Sequence, residues 1–244
     1  PATAPLGTGG LVWIKARSST ADHRLSDSAR GPGAYLDTAY NSPQGSAGND
    51  LTAFGTSGFT VGSGVFVNLL GAPFVAWSFR QAKNFFSIAT WTGDGATNRT
   101  IPHGVGSVPG MILDKRLDGA GSNWFVHHRG FSLPLRLDLS DAGSALSGIG
   151  DAGTHTDTGF LIAPTSTNLA SVNASGGSYI AYLFAHDASA GGIVQCGSYA
   201  GNGSATGPTV ALGWEPQFLM VKRANGAGGW HMLDSARGLG AGGS

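Results

Sequence analysis

The sequence predicts an all-β fold, made of two tandem, related modules of the β-sandwich or jelly-roll kind and a partial third repeat. Three observations predict it. Glycine accounts for 41 of the 244 residues, while the charged residues that normally fill exposed helix faces make up only 11%. Short apolar, aromatic-rich runs alternate with turn residues about every 8 to 12 positions, which is typical of short strands. Several groups of residues also recur in the same order along the chain.

The first recurring element is an apolar run that ends in a lysine and a second basic residue. It appears as "LVWIKARS" at 11–18, "MILDKRLD" at 111–118 and "FLMVKRAN" at 218–225. An Arg-Gly pair follows each run, with its arginine at Arg30, Arg129 and Arg237. These runs predict strands, and their recurrence predicts a repeat unit of about 105 residues.

Later elements repeat in the same order. "SGFTVGSG" at 57–64 corresponds to "TGFLIAPT" at 158–165, and "VNLLGAPFVAWSF" at 67–79 corresponds to "VNASGGSYIAYLF" at 172–184. Four segments follow from this correspondence. They are an N-terminal arm over 1–9, a first β repeat over 10–110, a second β repeat over 111–217, and a partial third repeat with a Gly-rich tail over 218–244.

Within each repeat, "FVAWSF" and "YIAYLF" predict strands that are buried on both faces. "TWTGDG" at 90–95 and "SYAGNG" at 198–203 predict strand ends, because Gly, Asn and Asp accept the positive φ of tight turns. The third repeat stops after its first strands, which leaves a sheet edge to be paired. It closes on the earlier repeats, adds to a neighbouring chain, or continues beyond Ser244.

Composition excludes several classes of partner. The formal net charge is zero and no basic run occurs, so we expect no nucleic-acid partner. No apolar run reaches the ~18 residues of a membrane-spanning helix, so we expect no membrane insertion. The single cysteine, Cys196, excludes an intrachain disulfide framework and is either a small buried hydrophobe or a reactive thiol. The low charge suits a protein that is assembled with others.

No motif of a known catalytic class is present, so we expect neither an enzyme nor a cofactor. Glu215 is the only glutamate, so a glycosidase would need two aspartates. His127 and His128 are adjacent and would face opposite sides of a strand, and the remaining histidines do not recur in register. We therefore expect no metal site.

Four aromatic residues are the candidate ligand-binding residues. Trp91 and Tyr199 occupy equivalent positions beside Gly-rich turns, and Trp124 and Trp230 form a second equivalent pair. A flat ring at a loop can stack on a sugar, form a subunit contact or pack in the core. The sequence leaves these three roles open.

The segments "SDSARG" and "LDSARG" place the same charged pair near both ends of the chain. Asp27 with Arg30, and Asp234 with Arg237, are spaced to form ion pairs that stabilise a turn. The alternative is that the arginines bind an anionic ligand, since guanidinium groups favour planar bidentate partners.

These segments, together with "GFTVGS", "YIAYLFA" and "LGWEPQFLMVKRA", resemble a lectin-like β-rich repeat of large bacteriophage virion proteins, especially tail-fibre and tail-associated proteins. The resemblance covers about residues 10–238 and brings no catalytic residues. It implies location in the virion as a tail-fibre, tail-associated or capsid decoration component. The implied partners are other virion proteins, further copies of the chain in a homo-oligomer, and a host cell-surface glycan. The alternative function is a secreted, lectin-like carbohydrate-binding module.

Overall fold

The computed structural model describes residues 9–144, 149, 154–163 and 169–238, and it is all-β, as predicted. Two single-turn α-helices, α1 (Val65–Asn68) and α2 (Leu169–Val172), interrupt the strands, and a 3-10 helix (Ser235–Arg237) follows the last strand. The strands are β1 (Gly10–Ala16), β2 (Arg24–Asp27), β3 (Ala34–Asp37), β4 (Gly45–Ser46), β5 (Leu51–Phe54), β6 (Phe59–Val61), β7 (Phe74–Arg80), β8 (Phe86–Thr92), β9 (Arg99–Pro102), β10 (Met111–Arg116), β11 (Phe125–His128), β12 (Phe131–Arg136), β13 (Gly159–Ile162), β14 (Ser178–Phe184), β15 (Phe218–Lys222) and β16 (Trp230–Asp234).

Two five-stranded antiparallel sheets form most of the fold. The first sheet has the order β4-β3-β2-β1-β7, and the second has the order β12-β11-β10-β14-β8. In both sheets the strand that begins a predicted repeat lies between its hairpin partner and a later aromatic-rich strand. The register is also the same, because Leu11 lies opposite Phe79 in the first sheet and Met111 lies opposite Phe184 in the second.

A third hairpin, β15–β16, has the register of the other two. Phe218 lies opposite Asp234, as Leu11 lies opposite Asp27 and Met111 lies opposite His128. Among the described residues it forms a sheet of only two strands.

Strand pairing crosses the predicted boundary between residues 110 and 111. β8 and β9 belong to the predicted first repeat, but they pair with β14 and β13 of the predicted second repeat. A tight turn redirects the chain after β7, with a bridge between Ala82 and Phe86 and a positive φ of 58° at Asn84. The division into two modules of about 105 residues therefore stays a prediction.

The two sheets and the third hairpin share one hydrophobic core. Apolar side chains reach this core from all three. The first sheet contributes Leu11, Trp13, Leu25, Trp77 and Phe79, and the second sheet contributes Phe86, Leu113, Val126, Tyr182 and Phe184. The partly buried residues Phe218, Met220, Trp230 and Met232 of the third hairpin pack against them. The alternation of side chains along each strand sends the other residues to the outer faces.

Outer layers cover the first and second sheets. Val12 and Ile14 of β1 pack against Leu51 and Val67, which lie in β5 and α1. The outer face of the second sheet packs against β9, β13 and α2, through residues that include Trp91, Ile101, Phe160, Val172 and Tyr179. The third hairpin differs, since no equivalent layer covers its outer face in the part of the chain that the structure describes.

Candidate functional site

The turn after β2 joins the first sheet to the second. The Asp27 carboxylate accepts hydrogen bonds from the backbone N–H groups of Ala29 and Arg30 at 3.0 Å, and it accepts one from Arg30 Nε at 2.6 Å. The Tyr182 hydroxyl of β14 donates to Asp27 Oδ2 at 2.7 Å and accepts from Arg30 Nη2 at 3.2 Å. This ion pair is therefore a contact between two sheets as well as a turn.

Both charges of this turn are buried, with 0% of the Asp27 side chain and 5% of the Arg30 side chain exposed. Burial raises the pKa of Tyr182 well above its usual value, so the hydroxyl keeps its proton and can donate to the carboxylate. The guanidinium is thus enclosed by protein groups, and this arrangement leaves no open face of Arg30 for an anionic ligand.

The second Asp-Ser-Ala-Arg-Gly segment makes an equivalent junction. Asp234 accepts from Arg237 Nε at 2.6 Å, and the Trp77 indole N–H donates to Asp234 at 2.9 Å. The Arg237 guanidinium lies 5.0 Å from the centre of the Trp77 ring. Burial opposes ionisation of Asp234, but the hydrogen bonds from Arg237 and Trp77 outweigh it, and the net effect lowers the pKa.

The two junctions follow one rule. Trp77 lies opposite Trp13 in the first sheet, and Tyr182 lies opposite Leu113 in the second, so the two aromatic residues occupy equivalent positions. Each Asp-Arg turn therefore contacts the same aromatic position of a neighbouring sheet. In the second sheet His128 stands at the position of Asp27, so Arg129 does not form this junction.

Two of the four candidate ligand-binding aromatic residues are core residues. Trp91 is 3% exposed, stacks on Tyr179 with the ring centres 5.3 Å apart, and donates its indole N–H to the Val172 carbonyl. Trp124 is fully buried and donates to the Asp37 carbonyl at 2.7 Å. Neither ring has a free face, so both fill the core rather than form a glycan platform.

The other two candidate aromatic residues reach the surface. Tyr199 is 55% exposed, although it matches Trp91 in the sequence repeat. Trp230 is half-buried and donates its indole N–H to the Arg136 carbonyl at 2.8 Å, as Trp124 donates to Asp37. Arg136 and Asp37 occupy equivalent positions. Arg136 lies opposite Phe125 and Asp37 lies opposite Arg24, and Phe125 and Arg24 are each three residues before the equivalent positions His128 and Asp27.

A cleft of ≈ 570 Å³ opens between the first sheet, the loop after β12 and the third hairpin. Its aromatic wall consists of Trp13, His23, Trp77 and Trp230. The His23 ring is nearly parallel to the Trp77 ring, with an interplanar angle of 10° and centres 6.3 Å apart. The sequence did not single out Trp13, His23 or Trp77; the correspondence between "FVAWSF" and "YIAYLF" was the signal that could have found Trp77.

Charged groups at the cleft are mainly cationic. Lys15, Arg17 and Arg237 line it, with Asp138 as the carboxylate. Burial, with smaller contributions from Lys15 and Arg237, lowers the pKa of His23 to about 4. The neutral ring accepts a hydrogen bond from Trp13 Nε1 at 2.8 Å.

Trp13 and Trp77 are only 2% and 7% exposed, so Trp230, which is half-buried, is the tryptophan of this cleft that could stack on a ligand, beside polar groups that could bind it by hydrogen bonds. No group of three His, Cys, Asp or Glu side chains that could hold a metal ion occurs among the described residues. No helix of the described ranges is long and apolar enough to cross a membrane.

Cys196 lies in the shared core and not in the cleft. Burial raises the pKa of its thiol to about 12, and Sγ is 3.4 Å from the Ala185 carbonyl oxygen that accepts its hydrogen bond. The thiol stays protonated at neutral pH, so this residue behaves as a small buried hydrophobe.

Comparison with known proteins gives a family and no function. No curated protein and no solved structure matches the chain. A family model described as "Domain of unknown function (DUF7483)" matches residues 7–240. Because this match covers almost the whole sequence, the chain belongs to the DUF7483 family.

Proposed function

We propose that the chain is a structural protein of a bacteriophage virion, as a tail-fibre, tail-associated or capsid decoration component, which works by assembly and not by catalysis. The resemblance of its repeat to bacteriophage virion proteins supports the proposed location in a virion. A physical argument supports assembly: the outer face of the third hairpin is mainly apolar, and none of the described residues forms a layer over it.

This outer face consists of Leu219, Val221, His231 and Leu233, of which Leu219 and Val221 are half-buried and His231 and Leu233 are exposed. Phe218, Met220 and Met232 point into the shared core, so the residues between them point outward. Leu233 is 45% exposed, whereas the outward residues of the second sheet are buried under β9, β13 and α2. Apolar side chains on one exposed strand face are typical of an interface.

The occupant that we propose for this face is a second copy of the chain. Most soluble oligomers are symmetric assemblies of identical chains, and a two-fold axis brings the same apolar face of each copy together. The low charge of the surface, with 11% charged residues in the whole sequence, reduces repulsion between copies.

Light scattering coupled to size-exclusion chromatography tests this proposal. We expect the wild-type chain to elute with a mass at least twice that of one chain, and we expect Leu233→Lys to elute as a monomer. Leu70→Lys is the matched control, because Leu70 is fully exposed and lies outside the third hairpin. A monomeric wild-type chain, or equal dissociation by both variants, would rule out the proposed interface.

The second candidate function is carbohydrate binding, and the aromatic cleft favours it. Trp230 borders this cleft beside Arg237 and Lys15, which supply hydrogen-bond donors for sugar hydroxyls. We expect saturable binding on a glycan array that is lost in Trp230→Ala and retained in Tyr199→Ala. Absence of any saturable glycan, with circular dichroism showing a folded chain, would remove this candidate.

A further inference from the structure

The aromatic cleft carries positive charge that its own carboxylate does not neutralise. Lys15, Arg17 and Arg237 line it, and among the described residues of its lining only Asp138 has a carboxylate. We infer that this cleft binds a sugar that carries a carboxylate, such as a uronic acid, in preference to a neutral sugar. The inference rests on carbohydrate binding, proposed above as the second candidate function, and names the class of its ligand.

Two of the three cations have no acidic partner. The Arg17 side chain is exposed, and it forms no ion pair or hydrogen bond with the described part of the chain. Lys15 Nζ donates to the Ala16 carbonyl at 2.8 Å and to the Ser19 carbonyl at 3.0 Å, and both acceptors are uncharged. An ammonium group has three N–H donors, so one donor of Lys15 remains for a ligand.

The other two charged groups of the lining are neutralised by their neighbours. Arg237 Nε donates to the Asp234 carboxylate at 2.6 Å. Burial raises the pKa of Asp138, but the nearby Lys115 and Arg136 oppose this effect and compensate its charge. The positive charge that remains in the cleft therefore belongs to the two cations without an acidic partner, and an anionic ligand would compensate it.

His23 adds a neutral hydrogen-bond donor to the cleft. Its Nδ1 accepts from Trp13 Nε1 at 2.8 Å, so the proton of the neutral ring is on Nε2. Burial, together with the positive charges of Lys15 and Arg237, lowers the pKa of the ring to about 4 and keeps it neutral at pH 7. No group of the described residues accepts from this Nε2–H, so the half-buried ring offers it to an acceptor such as a carboxylate oxygen.

The equivalent position in the second sheet shows why the first sheet has space for a ligand. His23 and Trp124 are equivalent, because each directly precedes the second strand of its hairpin in the same register. Trp124 stacks on Tyr182 with ring centres 6.2 Å apart and donates its indole N–H to a backbone carbonyl of the first sheet. His23 stacks on Trp77 in the same way, but its ring is smaller and its N–H has no such acceptor. The cleft therefore lies where the second sheet holds a bulky indole.

Trp230 supplies the surface for the sugar ring. Its indole N–H donates to the Arg136 carbonyl at 2.8 Å, which fixes the half-buried ring at the border of the cleft. The cleft volume of ≈ 570 Å³ is within the range of small-molecule sites. A uronic acid combines an apolar ring face, which packs on an indole, with a carboxylate, which a guanidinium group binds in a planar bidentate manner. A neutral sugar meets only the first of these two requirements.

Isothermal titration calorimetry on the full chain tests the inference with two trisaccharides of the same linkage. One consists of α-1,4-linked galacturonic acid, and the other consists of α-1,4-linked galactose, which is neutral. We expect the galacturonic trisaccharide to bind at least about tenfold more tightly, because a hydrogen bond to a charged group contributes more than one to a neutral group. We expect this preference to shrink when the salt concentration rises from about 50 mM to about 500 mM.

Arg17→Gln removes one charge of the cleft without removing any hydrogen bond among the described residues. We expect it to weaken binding of the galacturonic trisaccharide at least about fivefold. Arg80→Gln is the matched control, because Arg80 is an exposed arginine of the first sheet that does not line the cleft. We expect its affinity to stay within about twofold of that of the wild type.

NMR spectroscopy of the histidine side chains locates the bound carboxylate. We expect the ¹H and ¹⁵N signals of His23 Nε2–H to shift during the titration with the galacturonic trisaccharide. The signals of His231 should not move, because His231 is exposed on the outer face of the third hairpin.

The outcomes separate this inference from carbohydrate binding itself. No binding of the galacturonic trisaccharide, equal binding of the two trisaccharides, equal effects of Arg17→Gln and Arg80→Gln, or no shift at His23 would overturn the inference. Neutral glycans that bind on the array and lose binding in Trp230→Ala would leave carbohydrate binding standing and reject only the acidic sugar. A folded chain that binds no glycan at all would reject both.

Discussion

At the scale of single residues, the buried ion pair of Asp27 and Arg30 is the arrangement whose loss should cost the most free energy of unfolding. Their charges are compensated by each other, by backbone N–H groups and by the Tyr182 hydroxyl. Removing one charge of such a pair leaves the other buried without compensation, which costs about 3–5 kcal/mol. Asp234 and Arg237 repeat the geometry, but the Arg237 side chain is 27% exposed and water can solvate it.

We therefore predict unequal effects for the same change at the two sites. Asp27→Asn should lower the free energy of unfolding by about 3 kcal/mol, and Asp234→Asn by about 1 kcal/mol. Urea unfolding followed by tryptophan fluorescence measures both. Equal losses, or a larger loss at Asp234, would contradict the burial argument.

His23 gives a prediction for the pH dependence of stability. Its pKa is about 4 in the folded chain against an ordinary value of 6.5, so the unfolded chain binds the proton first as the pH falls. Its contribution to stability is present above about pH 6.5 and is lost between about 6.5 and 4, by about 1–3 kcal/mol.

His23→Gln separates this contribution from that of the other histidines with lowered pKa values, His103, His128 and His186. Glutamine keeps an acceptor for Trp13 Nε1 but does not titrate. We expect the variant to lose less stability than the wild type between pH 7 and pH 4 in urea unfolding. Parallel pH curves for the two proteins would show that His23 is not held neutral.

At the scale of strands, the three hairpins share a register but differ in their surroundings. β1 and β10 have a neighbour on each side, whereas β15 has only β16 among the described strands. Amide protons that are bonded between strands exchange slowly, and amides at a free edge exchange quickly. Ser235 N–H donates to the Gln217 carbonyl, so the odd-numbered residues of β15 face β16 and the even-numbered residues face the other edge. The rate of amide exchange should therefore alternate from residue to residue along β15.

We predict fast exchange at Met220 and Lys222 and slow exchange at Leu219 and Val221, measured by NMR on the free chain. Trp13 and Leu113 are the matched controls, because they stand at the position of Met220 in β1 and β10 and face paired strands. Slow exchange at Met220 would mean that another segment already pairs with this edge.

Local patterns in the sequence predict the strands well. The apolar runs at β1, β10 and β15 and the aromatic runs at β7 and β14 follow from composition and turn residues alone. The ion pairs also follow from a local spacing, since Asp and Arg three residues apart meet within one turn.

Local patterns do not show which strands pair with each other. For this reason the long-range contacts of these same strands and ion pairs could not be predicted from the sequence. The contact of Arg30 with Tyr182 spans 152 residues, and nothing near either residue specifies it. β8 pairs with β14, which lies more than 80 residues away along the chain, after a turn in which Asn84 has a positive φ. Trp91 and Tyr199 match in sequence but differ in burial, because Trp91 pairs with β14 and no described strand pairs with the segment of Tyr199.

At the scale of the whole molecule, the account depends on one shared core. The junctions at Asp27 and Asp234 and the aromatic cleft all lie where sheets meet. If the sheets were independent modules, each could unfold by itself. A single core instead requires that they unfold together.

Differential scanning calorimetry of the whole chain tests most directly whether the sheets share one core. We predict one transition, with a calorimetric enthalpy equal to the van't Hoff enthalpy, that Tyr182→Phe shifts as a whole to lower temperature. Two resolved transitions, with Tyr182→Phe moving only one of them, would contradict a core shared by three sheets.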